Sequence, residues 1–233
     1  MNKFTNILLV LLLIAVIFLG GAVFLLWQKD SAPAASSDSS GATQSSAETG
    51  TKPDQAQDPA KELSCSVQLG ALRMIQGEEF ALQDGNESDC QISCDHGVYT
   101  ISVNTTRSAP VVVTVPRDVY FQQATLTVAG GTLSAEELQV KDLYATCQQG
   151  ALQFSGRVDG NAEVQHQQGE TALQLQGNQD DFNYEVSYQL GHVQIGNQTF
   201  AGAKGSQAID NGSDRTVRVN CAMGSVGILF PQN

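Results

Sequence analysis

Residues 125–175 read TLTVAGGTLSAEELQVKDLYATCQQGALQFSGRVDGNAEVQHQQGETALQL, and they decide the fold. Apolar and polar residues alternate in short runs, the period of half-buried β-strands. Gly131, Gly150 and Gly169 fall 19 residues apart, and Gly191 follows after 22. Apolar residues stand at −5, −3, +2 and +4 from each glycine: Leu126, Val128, Leu133 and Ala135 around Gly131, then Ala145, Cys147, Leu152 and Phe154 around Gly150. A continuous strand keeps its side-chain parity. The odd step from −3 to +2 flips the phase at the glycine, as a tight bend between two strands requires.

Moving outward, the same signature surrounds Gly70 (Cys65, Val67, Leu72, Met74), Gly97 (Ile92, Cys94, Tyr99, Ile101), Gly191 (Val186, Tyr188, Val193, Ile195) and Gly224 (Val219, Cys221, Val226, Ile228). Gly169 carries it more weakly, with Val164, His166, Thr171 and Leu173. The spacing predicts an all-β fold, a β-solenoid of Gly-cornered repeats whose successive coils stack at about 4.8 Å with apolar columns inward. No helical period runs longer than residues 135–143, so α-helix is minor. Coil ends need caps, and residues 199–215, rich in Gly, Asn and Asp, are a loop or part of one.

Ahead of the repeats the composition changes twice. Residues 7–27, ILLVLLLIAVIFLGGAVFLLW, are uncharged and apolar, long enough as a helix to span about 30 Å of hydrocarbon. The run exceeds a signal-peptide core and no small-residue cleavage site directly follows, so an uncleaved transmembrane helix is expected. Residues 28–62 are Ser-, Ala-, Gly- and Pro-rich and lack large apolar side chains past the interface, the composition of a disordered linker reaching about 30 Å on average. The expected organisation is a cytoplasmic tail at 1–6, the span at 7–27, the linker at 28–62 and the solenoid ectodomain at 63–233. The chain is thus read as a single-pass cell-membrane protein with its C-terminal domain extracytoplasmic.

Charge excludes one class of partner. With 24 Asp plus Glu against 12 Lys plus Arg, the net charge is −12, so no nucleic-acid partner is expected. Outward positions of the repeats are neutral instead: Thr127, Thr146, Gln165, Ser187 and Asn220 at −4, and Ala129, Gln148, Gln167, Gln189 and Ala222 at −2. Stacked amides can bond along such a column and stiffen it. Alternatively, Thr146, Gln148, Gln165, Gln167 and Gln189 form a flat polar strip that meets a carbohydrate or wall polymer.

The run VVVTVPRD at 111–118, the pair Gly130-Gly131, the repeats after it and the closing GSVGILF at 224–230 resemble the bacterial putative adhesin domains. These are β-solenoid domains of unknown function on surface proteins, mostly Gram-positive, some encoded near envelope-stress regulators. The resemblance covers roughly residues 64–230 and brings no catalytic residues with it. It implies an extracytoplasmic, non-catalytic module for adhesion or envelope sensing.

No motif for catalysis or a cofactor appears. The five cysteines (Cys65, Cys90, Cys94, Cys147, Cys221) read mainly as small buried hydrophobes, with a Cys65 pairing to Cys90 or Cys94 left open. Stacking in sequence order places Cys147 and Cys221 three coils apart, about 14 Å, beyond disulfide reach. Cys90-x3-Cys94-x-His96 lacks the further ligands a structural zinc needs, so no metal is expected. Cys147 beside His166 imitates a thiol–imidazole dyad, but both positions point inward. Acidic residues fall between the repeats, no outward column holding two, and Asp159 with Asp180-Asp181 lacks a Ca²⁺-repeat signature. The reading is a non-enzymatic, adhesin-like binding module for a cell-wall or surface glycan or protein partner. The alternatives are an accessory of envelope-stress regulation acting through a membrane partner and, third, a glycan-active enzyme.

Overall fold

The computed structural model describes residues 61–231. The expected tail, span and most of the linker lie outside them. Among the described residues no helix is long and apolar enough to cross a membrane.

Among the described residues, seventeen strands follow in chain order. They are β1 (Glu62–Leu69), β2 (Ala71–Gly77), β3 (Ala81–Asp84), β4 (Cys90–Asp95), β5 (Val98–Asn104), β6 (Val111–Pro116), β7 (Tyr120–Val128), β8 (Gly131–Cys147) and β9 (Gly150–Val158). Then come β10 (Ala162–His166), β11 (Gly169–Leu175), β12 (Asn183–Gln189), β13 (Gly191–Ile195), β14 (Gln198–Ala201), β15 (Lys204–Ile209), β16 (Thr216–Cys221) and β17 (Gly224–Leu229). The one helical element among the described residues is a single 3-10 turn at Gln179–Asp181; residues 135–143 belong to β8.

The strands form two ladders that share a core. One runs β4-β5-β1-β7-β8-β10-β16-β12-β15. The other runs β3-β6-β2-β8-β9-β11-β17-β13-β14. β8 serves both, because its inward phase flips twice: Leu133 and Ala135, then Leu138 and Val140, then Leu143, Ala145 and Cys147 are buried. The first flip is a bulge between Ala135 and Leu138, with Glu137 at φ +58°. Its middle part pairs on both sides (Phe121 with Val140, Val140 with Val158), giving the coil a third, short side.

Glycine marks one corner, as the spacing predicts, and the reason is steric. Gly131, Gly150 and Gly169 have φ near +120°, and a Cβ on each would overlap the carbonyl oxygen of the glycine one rung below, Gly70, Gly131 and Gly150 respectively. Gly224 repeats the contact on Gly169, and Gly191 pairs with Gly224. Only glycine allows this stack. Gly169 is a full member of the column, since Val164, His166, Thr171 and Leu173 are all buried.

Two expectations are corrected. Gly97 is no corner: His96 (φ +48°) and Gly97 (φ +84°) form the two-residue turn of a β4–β5 hairpin, with Asp95 paired to Val98. In such a hairpin the residues at −3 and +2, Cys94 and Tyr99, are cross-strand partners, so the signature arises without a coil corner. Nor do the coils stack in sequence order. β1–β2 lies between β5–β6 and β7–β8, and β16–β17 lies between β10–β11 and β12–β13. At each end the chain passes outward, reverses through antiparallel strands, and returns. Those reversed strands, β3 and β4 at one end, β14 and β15 at the other, lie on the outermost coils. They act as the caps that a parallel stack requires, and residues 199–215 indeed contribute to one.

Candidate binding surface

The outer face of the first ladder carries the polar rows. In space the −4 row reads Ser66, Thr127, Thr146, Gln165, Asn220, Ser187. Thr146 and Gln165 are therefore adjacent, as the sequence implies, while Asn220 comes before Ser187 because β16 is inserted. Gln148 and Gln167 follow their strands on neighbouring rungs: their N–H groups donate to Val128 and Cys147 carbonyls. Ala222 takes the next rung, its N–H donating to His166, so Gln189 is separated from the other two glutamines.

The amides do not bond along the column. Gln165 Nε2 donates to Glu163 Oε1 on its own strand at 2.9 Å. The side chains of Thr146, Gln148, Gln167, Gln189, Ser187 and Asn220 make no hydrogen bond among the described residues. These groups are exposed or half-buried on a rigid sheet and retain free donors and acceptors.

One row further on, Tyr144, Glu163, Arg218 and Glu185 occupy successive rungs. Two acids do share an outward column, contrary to expectation, with Arg218 between them. Arg218 Nε lies 2.8 Å from Glu185 Oε2, and this hydrogen bond holds the Glu185 carboxyl below its ordinary range. Glu136 is lowered likewise, by Arg73 at 2.8 Å. Asp159 pairs with Arg157 at 2.6 Å, and Asp181 with Arg215 at 3.5 Å. Among the described residues no three His, Cys, Asp or Glu side chains converge as metal ligands.

The cysteines are all free thiols, Cys94 exposed and the others buried. Burial pushes the Cys90 thiol up to about 11 and the Cys65 thiol further. Cys94 and His96 are exposed while Cys90 faces inward, so the three do not converge. Cys147, His166 and Cys221 stand on successive rungs of one inward column. Cys147 and Cys221 are thus two rungs apart, not three, with an imidazole between them. His166 Nδ1 is 2.9 Å from Thr171 Oγ1, its Nε2 has no hydrogen-bond partner among the described residues, and burial lowers its pKa.

Sequence reasoning missed a second surface. A cleft of about 900 Å³ opens where residues 174–180, the β13–β14 turn and the end of β17 meet. Its floor includes Phe230, whose ring packs on Phe182 with centroids 6.1 Å apart, and Arg215 lies 4.3 Å over Phe182. The residues that meet there are distant in sequence, and the one local signal was the amide-rich run Gln174, Gln176, Asn178 and Gln179.

Two stacked ladders, a glycine corner and reversed end coils define a capped β-solenoid. The chain belongs to the Toastrack DUF4097 family, whose profile matches residues 78–228. Among solved structures it is similar to a putative cell adhesion protein from Clostridium sporogenes, with 14% identity over 74% of this chain and 93% of that one, at a TM-score of 0.51. A putative adhesin from Bacteroides fragilis aligns over 74% of this chain and 92% of its own at 10% identity, with a TM-score of 0.27. No curated protein matches the sequence.

Proposed function

We propose that this chain is a membrane-anchored, extracytoplasmic, adhesin-like binding module without catalytic activity, held to the membrane by residues 7–27 and set off from it by residues 28–62. The observation that carries the proposal is the outer face of the first ladder. Its rows of Thr, Gln, Asn and Ser side chains sit at sheet spacing without bonding to one another. Neutral donors and acceptors carried at fixed spacing on a rigid sheet suit recognition of a repeating polar polymer, since the backbone that presents them is already ordered before binding. The carboxyl groups with resolved shifts, Glu136 and Glu185, are lowered by arginine partners, the opposite of the raised pKa a glycosidic general acid needs. The name of the Clostridium sporogenes protein, a putative cell adhesion protein of the same fold, agrees with this reading.

The test is co-sedimentation of the purified 233-residue chain, in a non-glycosidic detergent, with isolated bacterial cell walls. Saturable binding that resists moderate salt is expected, with roughly tenfold weaker binding when Gln148 and Gln167 are both changed to alanine. A folded chain that stays in the supernatant overturns the reading and directs attention to a membrane-partnered regulator.

A further inference from the structure

We infer that the cleft between residues 174–180, the β13–β14 turn and the end of β17 is a binding site for a neutral oligosaccharide. The inference deepens the binding-module reading, on which it rests, by naming a ligand class and a place. The cleft is about 900 Å³, within the range of pockets that take small ligands. Its polar lining is dominated by primary amides, among them Gln174, Gln179, Gln194 and Asn197. An amide presents donors and an acceptor side by side, which matches vicinal hydroxyls, each both donor and acceptor. Among the described residues no basic side chain lines the cleft, so phosphates and uronates find no counter-charge there. Asp180, the one side-chain carboxylate among the described lining residues, makes no hydrogen bond or ion pair with a described side chain, so it can accept from hydroxyl groups.

Phe230 adds an apolar ring to this lining, the surface on which the C–H face of a pyranose can pack. The ring is held from behind by Phe182 and, through it, Arg215. The opposite rim is equally fixed. Tyr184 Oη donates to the Gln179 carbonyl at 2.6 Å, while Ser213 Oγ and Arg215 Nε donate to the Asp181 carbonyl at 2.6 and 3.1 Å. Gly196, at φ +52°, lets Gln179 lie against the β13–β14 turn, where a Cβ would overlap its side-chain oxygen. Rim and floor are thus pre-organised by residues outside the cleft, which reduces the entropy lost on binding.

The test is saturation-transfer NMR and calorimetry on the full chain, in a non-glycosidic detergent, with cellohexaose, mannohexaose and N-acetylchitohexaose as neutral probes and heparin and polygalacturonate as anionic ones. At least one neutral probe is expected to bind saturably, and Phe230→Ala and Asn197→Ala are each expected to weaken it about tenfold. Phe230→Ala can loosen the Phe182 contact; Asn197 is exposed on a turn, so its variant keeps the test sound if the first unfolds. Neutral-probe binding untouched by both variants overturns the inference, as does binding of the anionic probes alone. If no probe binds while cell walls still sediment the chain, the cleft inference falls and the binding-module reading stands. Sugar binding abolished by the variants, without wall sedimentation, leaves the cleft standing and removes the adhesin-like reading.

Discussion

Gly150 has φ +124°, and the space its Cβ would need is filled by the Gly131 carbonyl. Gly150→Ala therefore combines backbone strain with a clash against main chain that cannot step aside, costing about 3 kcal/mol or more. For a domain of this size that is a drop of roughly 6–12 °C in melting midpoint, read by circular dichroism. The inward columns make a companion test. Leu152 is fully buried and its Asp variant should not fold, whereas exposed Gln148→Ala should melt with the parent. A Leu152→Asp chain as stable as the parent refutes the column. His166 sets a pH dependence. Burial lowers its pKa from 6.5, so just below that value the unfolded chain holds a proton that the folded chain does not. Stability is full above 6.5 and falls as the pH drops through the window beneath it. His166→Gln should abolish the difference in midpoint between pH 7 and pH 5.5, leaving losses below pH 4.5, where the unfolded chain takes up protons that the arginine-paired Glu136 and Glu185 of the folded chain do not.

At the scale of elements, what could be read in the sequence was local and what could not was pairing. The corner at Gly150 was legible because its cause, a phase flip over five residues, lies within one stretch of chain. Gly97 produced the same flip from a different cause, a two-residue hairpin, and only the pairing of Cys94 with Tyr99 separates them. Strand order was illegible for a related reason: β12 and β16 present the same alternation to β10, and nothing in either strand says which is nearer. The displaced Gln189 follows directly. The caps have a testable consequence. β14 and β15 cover the edges of β13 and β12 in antiparallel register. Replacing residues 197–211 with a Gly-Ser linker of about eight residues exposes two unpaired parallel edges. That variant is expected to associate at concentrations where the parent does not, as light scattering would report. A variant that disperses like the parent would show that the end coils need no cover.

For the whole molecule, insertion of both end-proximal coils alters how the stack must hold together. In a solenoid wound in sequence order each repeat touches only its sequence neighbours, so losing the last repeat shortens the rod and spares the rest. Here the last coil, β16–β17, is interior: β16 joins β10 to β12 and β17 joins β11 to β13. Val217, Val219, Cys221, Val226 and Ile228 are buried there, so removing it opens the core as well as both ladders. A chain ending at Asp214 should thus lose β12 through β15 from the ordered unit together with the deleted strands. Limited proteolysis is expected to cleave it after about residue 175, where the parent resists, and urea unfolding should show a smaller m-value than deleting one terminal coil explains. A truncated chain that keeps residues 183–209 protected would mean that β12–β13 can close directly onto β10–β11. The ladders would then be interchangeable in order, and the inserted coil would be a choice among near-equal pairings, not a requirement of the core.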